Sequence, residues 1–445
     1  MALPLIGFMI LAETVSSQEE QMVRMNLADC LARALLVSPD LEQAEINVKL
    51  MEARFSEAKS STILPQLQLT QIFGPAPGIE GDPNNVETVR SDLGNLGIFS
   101  RTSVELLQPI YTFGKIRGAK DAARAGLEAG EAGVDRKKED IVLQIRRLYH
   151  SLVLAMELRE VVLEGQENVQ KARKRVNELI EEDSDDVGQN DLFKIDVFDY
   201  EVEKNFARAA KSIEMGKAAM MQLLKIDRGT DFDIIVPQAE PEVRELETLQ
   251  IYVNRARYTR ADIKQLRAGL QVRRALLRVS RSDFFPQIAL AGRIEWGTAP
   301  HRPHFSNPFL NDQFNFFRLG AVLMFRQSFN FGLTNAKHQV RKAEYEDLMS
   351  KEEQAVSAVA LEVERAYRDV KEANINVQNS DRAMRSAKAW MTSEAMGFDI
   401  TGDSASLLNA FTAYSRMQNE YHQAVYSMNI SRAVLDHTTG AGFPN

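Results

Sequence analysis

The chain has 445 residues and a net charge of -8, from 54 basic against 62 acidic side chains. That length is ample for a large buried core, and the acidic balance excludes a nucleic-acid binder that relies on a basic face. One cysteine, Cys30, excludes an intrachain disulfide and a multi-cysteine metal site. Its setting, LADCLARAL, places it as a small buried hydrophobe on a helix.

Residues 1–17 read as a signal remnant. The apolar segment from Leu3 to Leu11 is too short to span a bilayer as a helix; VSS before Gln18 suits cleavage, but a basic leading region is missing. The expectation is an exported protein with a truncated start. Beyond this segment no apolar run is long enough for a transmembrane helix, so any membrane span must be a β-barrel.

The chain is internally duplicated. ILPQLQLTQIF (63–73) matches FFPQIALAGRI (284–294), aligning Pro65 with Pro286 and Gln66 with Gln287. Phe113-Gly114 aligns with Phe331-Gly332, and LQIRRLY with LEVERAY, which sets Tyr149 against Tyr367. DLFKIDVFDYEVEKNF (191–206) answers SLLNAFTAYSRMQNEY (406–421). Half the chain is far beyond a solenoid period, so one unit has been duplicated. The first repeat, 18–226, is predicted as a helix, strands at about 64–73 and 100–112, a long helix at about 115–182 and a helix at about 191–225. A linker at 227–247 leads to the second repeat, 248–436: a helix, strands at about 286–296 and 315–329, a long helix at about 333–396 and a helix at about 405–435. A tail, 437–445, closes the chain.

Ile288, Leu290, Ile294 and Trp296 alternate with Gln287, Arg293 and Glu295. Phe317, Leu319, Ala321, Leu323 and Phe325 alternate with Arg318, Gly320 and Arg326. These strands are about ten residues long, as a membrane β-strand needs. The segments between paired strands, 74–97 and 297–313, are rich in turn formers and read as long loops. Alternation of this kind also marks soluble hairpins packed on a core.

No proline lies between Pro109 and Pro237, or between Pro308 and Pro444. The long helix of the first repeat would run roughly 100 Å at 1.5 Å per residue. Its seam keeps a 4-3 spacing through Ile141, Ile145, Leu148, Leu152, Ala155, Leu158, Val162, Gly165, Val169, Ala172, Val176 and Leu179, with one slip after Ala155. In the second repeat Val356, Val359, Val363, Ala366, Val370, Ala373, Val377, Ser380, Met384, Ala387 and Met391 do the same. A sustained 3.5-residue repeat means coiled-coil packing on neighbouring helices. Each long helix ends in a polar turn, 181–191 or 396–406, where Gly188 and Gly402 allow a reversal. The carboxylates of Asp183, Asp185, Asp186, Asp191, Asp399 and Asp403 gather there. They read either as helix caps on a solvated tip or as a ring of negative charge that selects ions at the end of a tube.

MNLADCLARALLVSPDLEQA resembles the opening helix of TolC-type outer-membrane efflux proteins. The order that follows is similar to that family too: strand pair, Phe-Gly exit, long helix with Arg-Xaa-Xaa-Tyr or Arg-Ala-Tyr, then a Val-Gly or Gly-Asp turn and, in the second repeat, Leu-Leu-Asn-Ala. The resemblance runs from about Leu27 to Leu435. It implies a mainly α fold with a small membrane β-barrel contribution: a homotrimer whose long helices form a shared α-barrel and which takes four strands from each chain. It further implies an outer-membrane exit duct with a long periplasmic extension in a Gram-negative bacterium. A periplasmic adaptor, or membrane fusion protein, would dock at Val187, Gly188, Ile400, Thr401 and Gly402, and an inner-membrane RND or ABC transporter would supply energy for efflux or type I secretion. Phe113, Gly114, Phe331 and Gly332 would be the barrel junctions. Two positions depart from the pattern: Gln189 stands where the family has an apolar residue, and Ser406 and Asn409 stand where well-known members carry aspartates. A carboxylate ring would then come from Asp399 or Asp403.

The sequence has no phosphate-binding Gly-rich loop ending in Gly-Lys, no His-Glu-Xaa-Xaa-His and no Gly-Xaa-Ser-Xaa-Gly. No enzymatic activity, cofactor, metal or nucleic-acid partner is expected. His301 and His304, in HRPH, are read as residues of a surface loop. The alternative to a duct is a soluble or surface-attached coiled-coil scaffold, or an adhesin.

Overall fold

The computed structural model describes residues 22–63, 65–83, 85, 87–182, 188–235, 240–242, 244–305, 307, 309–401 and 404–441, with the backbone alone at 61–63, 399–401 and 404. The signal segment 1–17 lies outside these residues. In chain order the elements are β1 (Val23–Met25), α1 (Leu27–Val37), α2 (Pro39–Ile63), β2 (Gln66–Glu80), β3 (Arg90–Tyr111), α3 (Lys115–Glu181) and α4 (Gln189–Leu223). The second half follows with β4 (Phe232–Ile234), α5 (Leu249–Thr259), α6 (Ala261–Ser282), β5 (Gln287–Thr298), β6 (Phe316–Arg326), α7 (Leu333–Thr401) and α8 (Ser404–Thr438). Among the described residues the protein is mainly helical, with four strands in one antiparallel sheet and a small parallel pair, β1 with β4.

Each opening helix is broken in two. Pro39 has no N–H to continue the ladder and disfavours the helical region for Ser38, which takes ψ 120°. The matching break at Arg260, with ψ 128°, has no proline. There the chain's end does the work: Thr259 Oγ1 donates to the Thr439 carbonyl at 2.6 Å, and a Cβ on Gly440 would lie 2.9 Å from the Arg260 nitrogen. Arg260 is also held by Glu362 at 2.7 Å. The linker is not wholly irregular, because its residues 232–234 form β4 and pair with β1.

The segment 74–97, expected as a loop, is mostly strand. β2 and β3 stay paired from Gln66↔Leu107 out to Glu80↔Arg90, with a bulge at Pro77/Gly78, so the turn is confined to 81–89. Pro75 and Pro77 are tolerated because β2 is the edge strand of the order β2-β3-β5-β6. β5 accompanies β3 only from Ser100 onward, so the β2–β3 hairpin extends past the sheet by the stretch paired beyond Gly74↔Phe99.

Two compact units are present. One comprises Met1–Glu42, Arg136–Arg260 and Val359–Asn445, and holds α1, α4, α5, α8 and the distal parts of α3 and α7. Its core includes Cys30, Ile145, Leu152, Val176, Ile195, Met220, Val363, Val370, Met428 and Leu435. The α7 seam is buried at Val359, Val363, Ala366, Val370, Ala373, Val377 and Ala387, the positions the heptad pattern nominated. Tyr149 is buried beside the α3 seam, and its hydroxyl donates to the Ile235 carbonyl at 2.6 Å. The other unit comprises Gln43–Asp135 and Ala261–Ala358, and holds the four-stranded sheet and α6.

Candidate functional site: strand–helix junctions, sheet faces and helical tips

At both Phe-Gly steps the backbone leaves strand geometry through a left-handed glycine, Gly114 at φ 94° and Gly332 at φ 83°. Each glycine then serves the new helix, its carbonyl accepting from Gly118 N–H at 2.7 Å or from Ala336 N–H at 2.9 Å. A Cβ at either glycine would meet nothing within 4 Å, so conformation rather than space selects glycine there. Phe113 itself has φ 50°, held by stacking on Phe285 at 4.9 Å and an edge contact with Tyr111 at 4.7 Å. Phe331 is 100% exposed, and Phe284, Phe325 and Phe329 add exposed rings at this end of the strands.

The sheet register sorts the side chains into two chemically different faces. One face carries the rungs Leu69–Val104–Ile294–Leu319 and Leu67–Leu106–Gly292–Ala321, with Trp296 opposite Phe317 and Ile288 opposite Phe325. Leu69 is 66% and Leu319 71% exposed, so this apolar face is not a core face. Gln71 and Thr102, the polar pair on it, bond to each other, and Gln71 also donates to Ser100 at 2.7 Å. The opposite face carries Gln68–Glu105–Arg293–Gly320 and Thr70–Ser103–Glu295–Arg318. Its charges are neighbours: Arg293 lies 3.3 Å from Glu105 and 3.9 Å from Glu295, and Arg101 lies 3.9 Å from Glu295. From Phe317 to Phe325 is eight residues, about 27 Å along a strand and roughly 21 Å of height at a 40° tilt, close to the apolar band of a membrane barrel.

At the tips, Asp183, Asp185, Asp186, Val187, Gly402 and Asp403 lie outside the described residues. Asp399, Ile400 and Thr401 fall in the last turn of α7, which runs on to Thr401 rather than turning at about 396. Phe398 explains the extension: it is buried among Val169, Val176, Ile195 and Val202 of α3 and α4, which holds the end of α7 in register. Asp191 caps α4. Its carboxylate accepts from Gly188 N–H at 3.0 Å and from Lys194 Nζ at 3.0 Å, the helix-cap role for that residue. Sequence reasoning missed Arg173 of α3, which reaches Asp196 at 2.5 Å and Asp199 at 2.9 Å on α4. Those carboxylates, Asp196 first, raise the guanidinium pKa further above its ordinary value. The i, i+3 spacing of Asp196 and Asp199 is visible in the sequence, but it does not say that Arg173 of α3 faces them.

A cavity of about 850 Å3 lies among α3, α4 and α8, lined by Leu158, Val162, Phe198 and Phe411 with Arg208 and Asn419. Among the described residues no three His, Cys, Asp or Glu side chains converge on one point. No described helix is long and apolar enough to cross a membrane. His304 is exposed, but His301 is half-buried, its Nε2 2.8 Å from the Ala76 carbonyl, so only part of HRPH behaves as a surface loop.

No family model matches the chain, and no curated protein sequence matches it. Solved structures do. CusC aligns with a TM-score of 0.77 at 16% identity, over 94% of this chain and 93% of that one. The outer-membrane channel OprN gives 0.75 at 17%, over 93% and 89%, and the CmeC outer membrane channel of Campylobacter jejuni gives 0.74 at 18%, over 100% and 94%. This is the TolC-type channel fold. At such identities the TolC-type likeness resides in element order and geometry.

Proposed function

We propose that the chain is the outer-membrane exit duct of a tripartite efflux or type I secretion system, passive in itself. The observation that carries this reading is the two-faced sheet, one face apolar and exposed and the other charged, which passes through Phe-Gly into heptad-packed helices. Lipid exacts closure, because a sheet with open edges leaves backbone groups unsatisfied in hydrocarbon. β2 and β6 are both unpaired edges within the chain. Four strands from each of three copies close a twelve-stranded barrel whose polar face is the lumen. The aromatic rings near the Phe-Gly steps then mark the periplasmic membrane boundary, and the two repeats, 18–226 and 248–436, supply matching halves of the wall.

In this reading the outer membrane is that of a Gram-negative bacterium, and the helices extend through the periplasm. The tips of α3–α4 and α7–α8 form the gate, with Asp183, Asp185, Asp186, Asp191, Asp399 and Asp403 as its charged candidates. A periplasmic adaptor docks around Val187, Gly188, Ile400, Thr401 and Gly402 and favours the open state, shifting the population. An inner-membrane RND or ABC transporter drives the cargo.

The test is direct. The full-length protein should fractionate with the outer membrane as a trimer and conduct ions in a planar bilayer. Replacing Asp399 and Asp403 by Ala should raise resting conductance or weaken cation preference. A protein that stays soluble and never conducts is a scaffold; unchanged conductance and selectivity in the double variant place the gate elsewhere.

A further inference from the structure

The connection between β5 and β6 folds back onto the protruding part of the β2–β3 hairpin, and the register says on which side. Gly97 shares its face with Phe99, Arg101, Ser103 and Glu105, the charged face. A Cβ on Gly97 would lie 2.1 Å from the His301 ring, so the ring occupies the notch that glycine leaves on that face. His301 Nε2 is 2.8 Å from the Ala76 carbonyl, and Arg302 donates to the Pro77 carbonyl. Phe314 packs edge-on against Phe99 at 5.2 Å and lies under the Arg302 guanidinium at 4.6 Å. Arg302 pairs with Asp312 at 3.6 Å; the two residues are 8% and 6% exposed. Asn315 ties the ends, accepting from Ala299 N–H at 2.6 Å.

We infer that this strap, residues 299–305 and 309–315, narrows the extracellular mouth from inside and restricts the cargo to solutes thinner than a polypeptide helix. The inference rests on the duct reading, which makes the charged face the lumen. Twelve strands about 4.8 Å apart, tilted about 40°, wrap a cylinder of radius roughly 12 Å. The strap packs on β2–β3 just past the last β3–β5 pair, Ser100↔Thr298, at the rim of that cylinder, and a layer packed on a sheet sits about 10 Å from it, so three straps, one from each chain, crowd the opening at the rim. A polypeptide helix is about 10 Å across and has no room beside them. A buried ion pair surrounded by ring contacts does not swing aside readily, because opening exposes an aromatic core and separates two desolvated charges. The sequence signals it only faintly: an Arg in a proline-rich loop, ten residues before an Asp.

The experiment uses thiol access from outside intact cells, in a Cys30→Ser background carrying Gln68→Cys on the charged face below the strap. The probes are a small charged methanethiosulfonate and a bulky polyethylene-glycol maleimide. The small probe should label position 68 and the bulky one should be excluded. Asp312→Ala, which breaks the buried pair, and Gly97→Val, which displaces His301 without touching the pair, should each admit the bulky probe faster, by on the order of a hundredfold, at an unchanged small-probe rate. The strap is overturned if the bulky probe enters the unaltered protein as freely as the small one, or if neither variant changes its entry. Should the small probe fail to reach position 68 while it labels Leu69→Cys on the apolar face, the lumen assignment falls, and the strap with it.

Discussion

Replacing the junction glycines isolates a backbone effect from a packing effect. Gly114 and Gly332 sit at φ 94° and 83°, and an added Cβ at either meets nothing within 4 Å. Ala at either position therefore carries the left-handed penalty of about 1–2 kcal/mol with no steric addition. Part of that is offset, by about 0.5 kcal/mol, because Ala also restricts the unfolded chain. The expected net loss is about 1 kcal/mol per site, and about 2 for the double variant if the two junctions act independently. Gly320 is the control: its Cβ would also meet nothing, and its φ is not left-handed, so Gly320→Ala should be neutral or slightly stabilising. Asn at the junctions, which tolerates φ > 0, should recover much of the loss. Guanidinium unfolding of the detergent-solubilised protein, followed by helical circular dichroism, reads these differences as midpoint shifts at constant slope. If Gly114→Ala and Gly332→Ala prove as harmless as Gly320→Ala, the left-handed turn is not what glycine is there to supply.

Two further outcomes follow from burial. Ile195 is 1% exposed in the α3–α4 core, whereas Phe193 is 58% exposed on the same helix; Ile195→Ala should cost about 2–5 kcal/mol and Phe193→Ala far less, and equal losses in urea unfolding would refute the packing assignment. His150 is pushed from 6.5 down to about 4, first by burial and then by the Arg146 charge. The unfolded state therefore binds the proton first: stability is level above about pH 6.5 and falls as pH drops toward 4, by up to about 2 kcal/mol at pH 5. His150→Gln should remove that slope, and an unchanged slope in the variant would assign it to other groups.

Heptad seams and strand faces were legible because each is a local repeat that packing does not override. Val359 through Ala387 and the Leu69–Val104–Ile294–Leu319 rung fall where their spacing puts them. The outer half of the β2–β3 hairpin was illegible, since Gly74, Pro75, Pro77 and Gly78 read as turn formers, and only the edge position of β2 makes them acceptable in a strand. β1 and β4 are too short for any periodic signal. The break at Arg260 is set by Thr439 and Gly440, residues distant in sequence. The Arg173 pairs and the Arg302–Asp312 pair depend on which faces meet, which charge spacing alone does not determine.

The register of β3 against β5 also has a consequence for synthesis. Val104 must wait for Ile294, 190 residues later in the chain. At 5–20 residues per second that interval is about 10–40 s, during which β3 has an unpaired edge and β2–β3 present exposed leucines. Neither compact unit can finish from a contiguous piece, since each draws on segments from both halves. An edge left unpaired for that interval is an aggregation hazard, and the sheet can be completed only once the second repeat has been made.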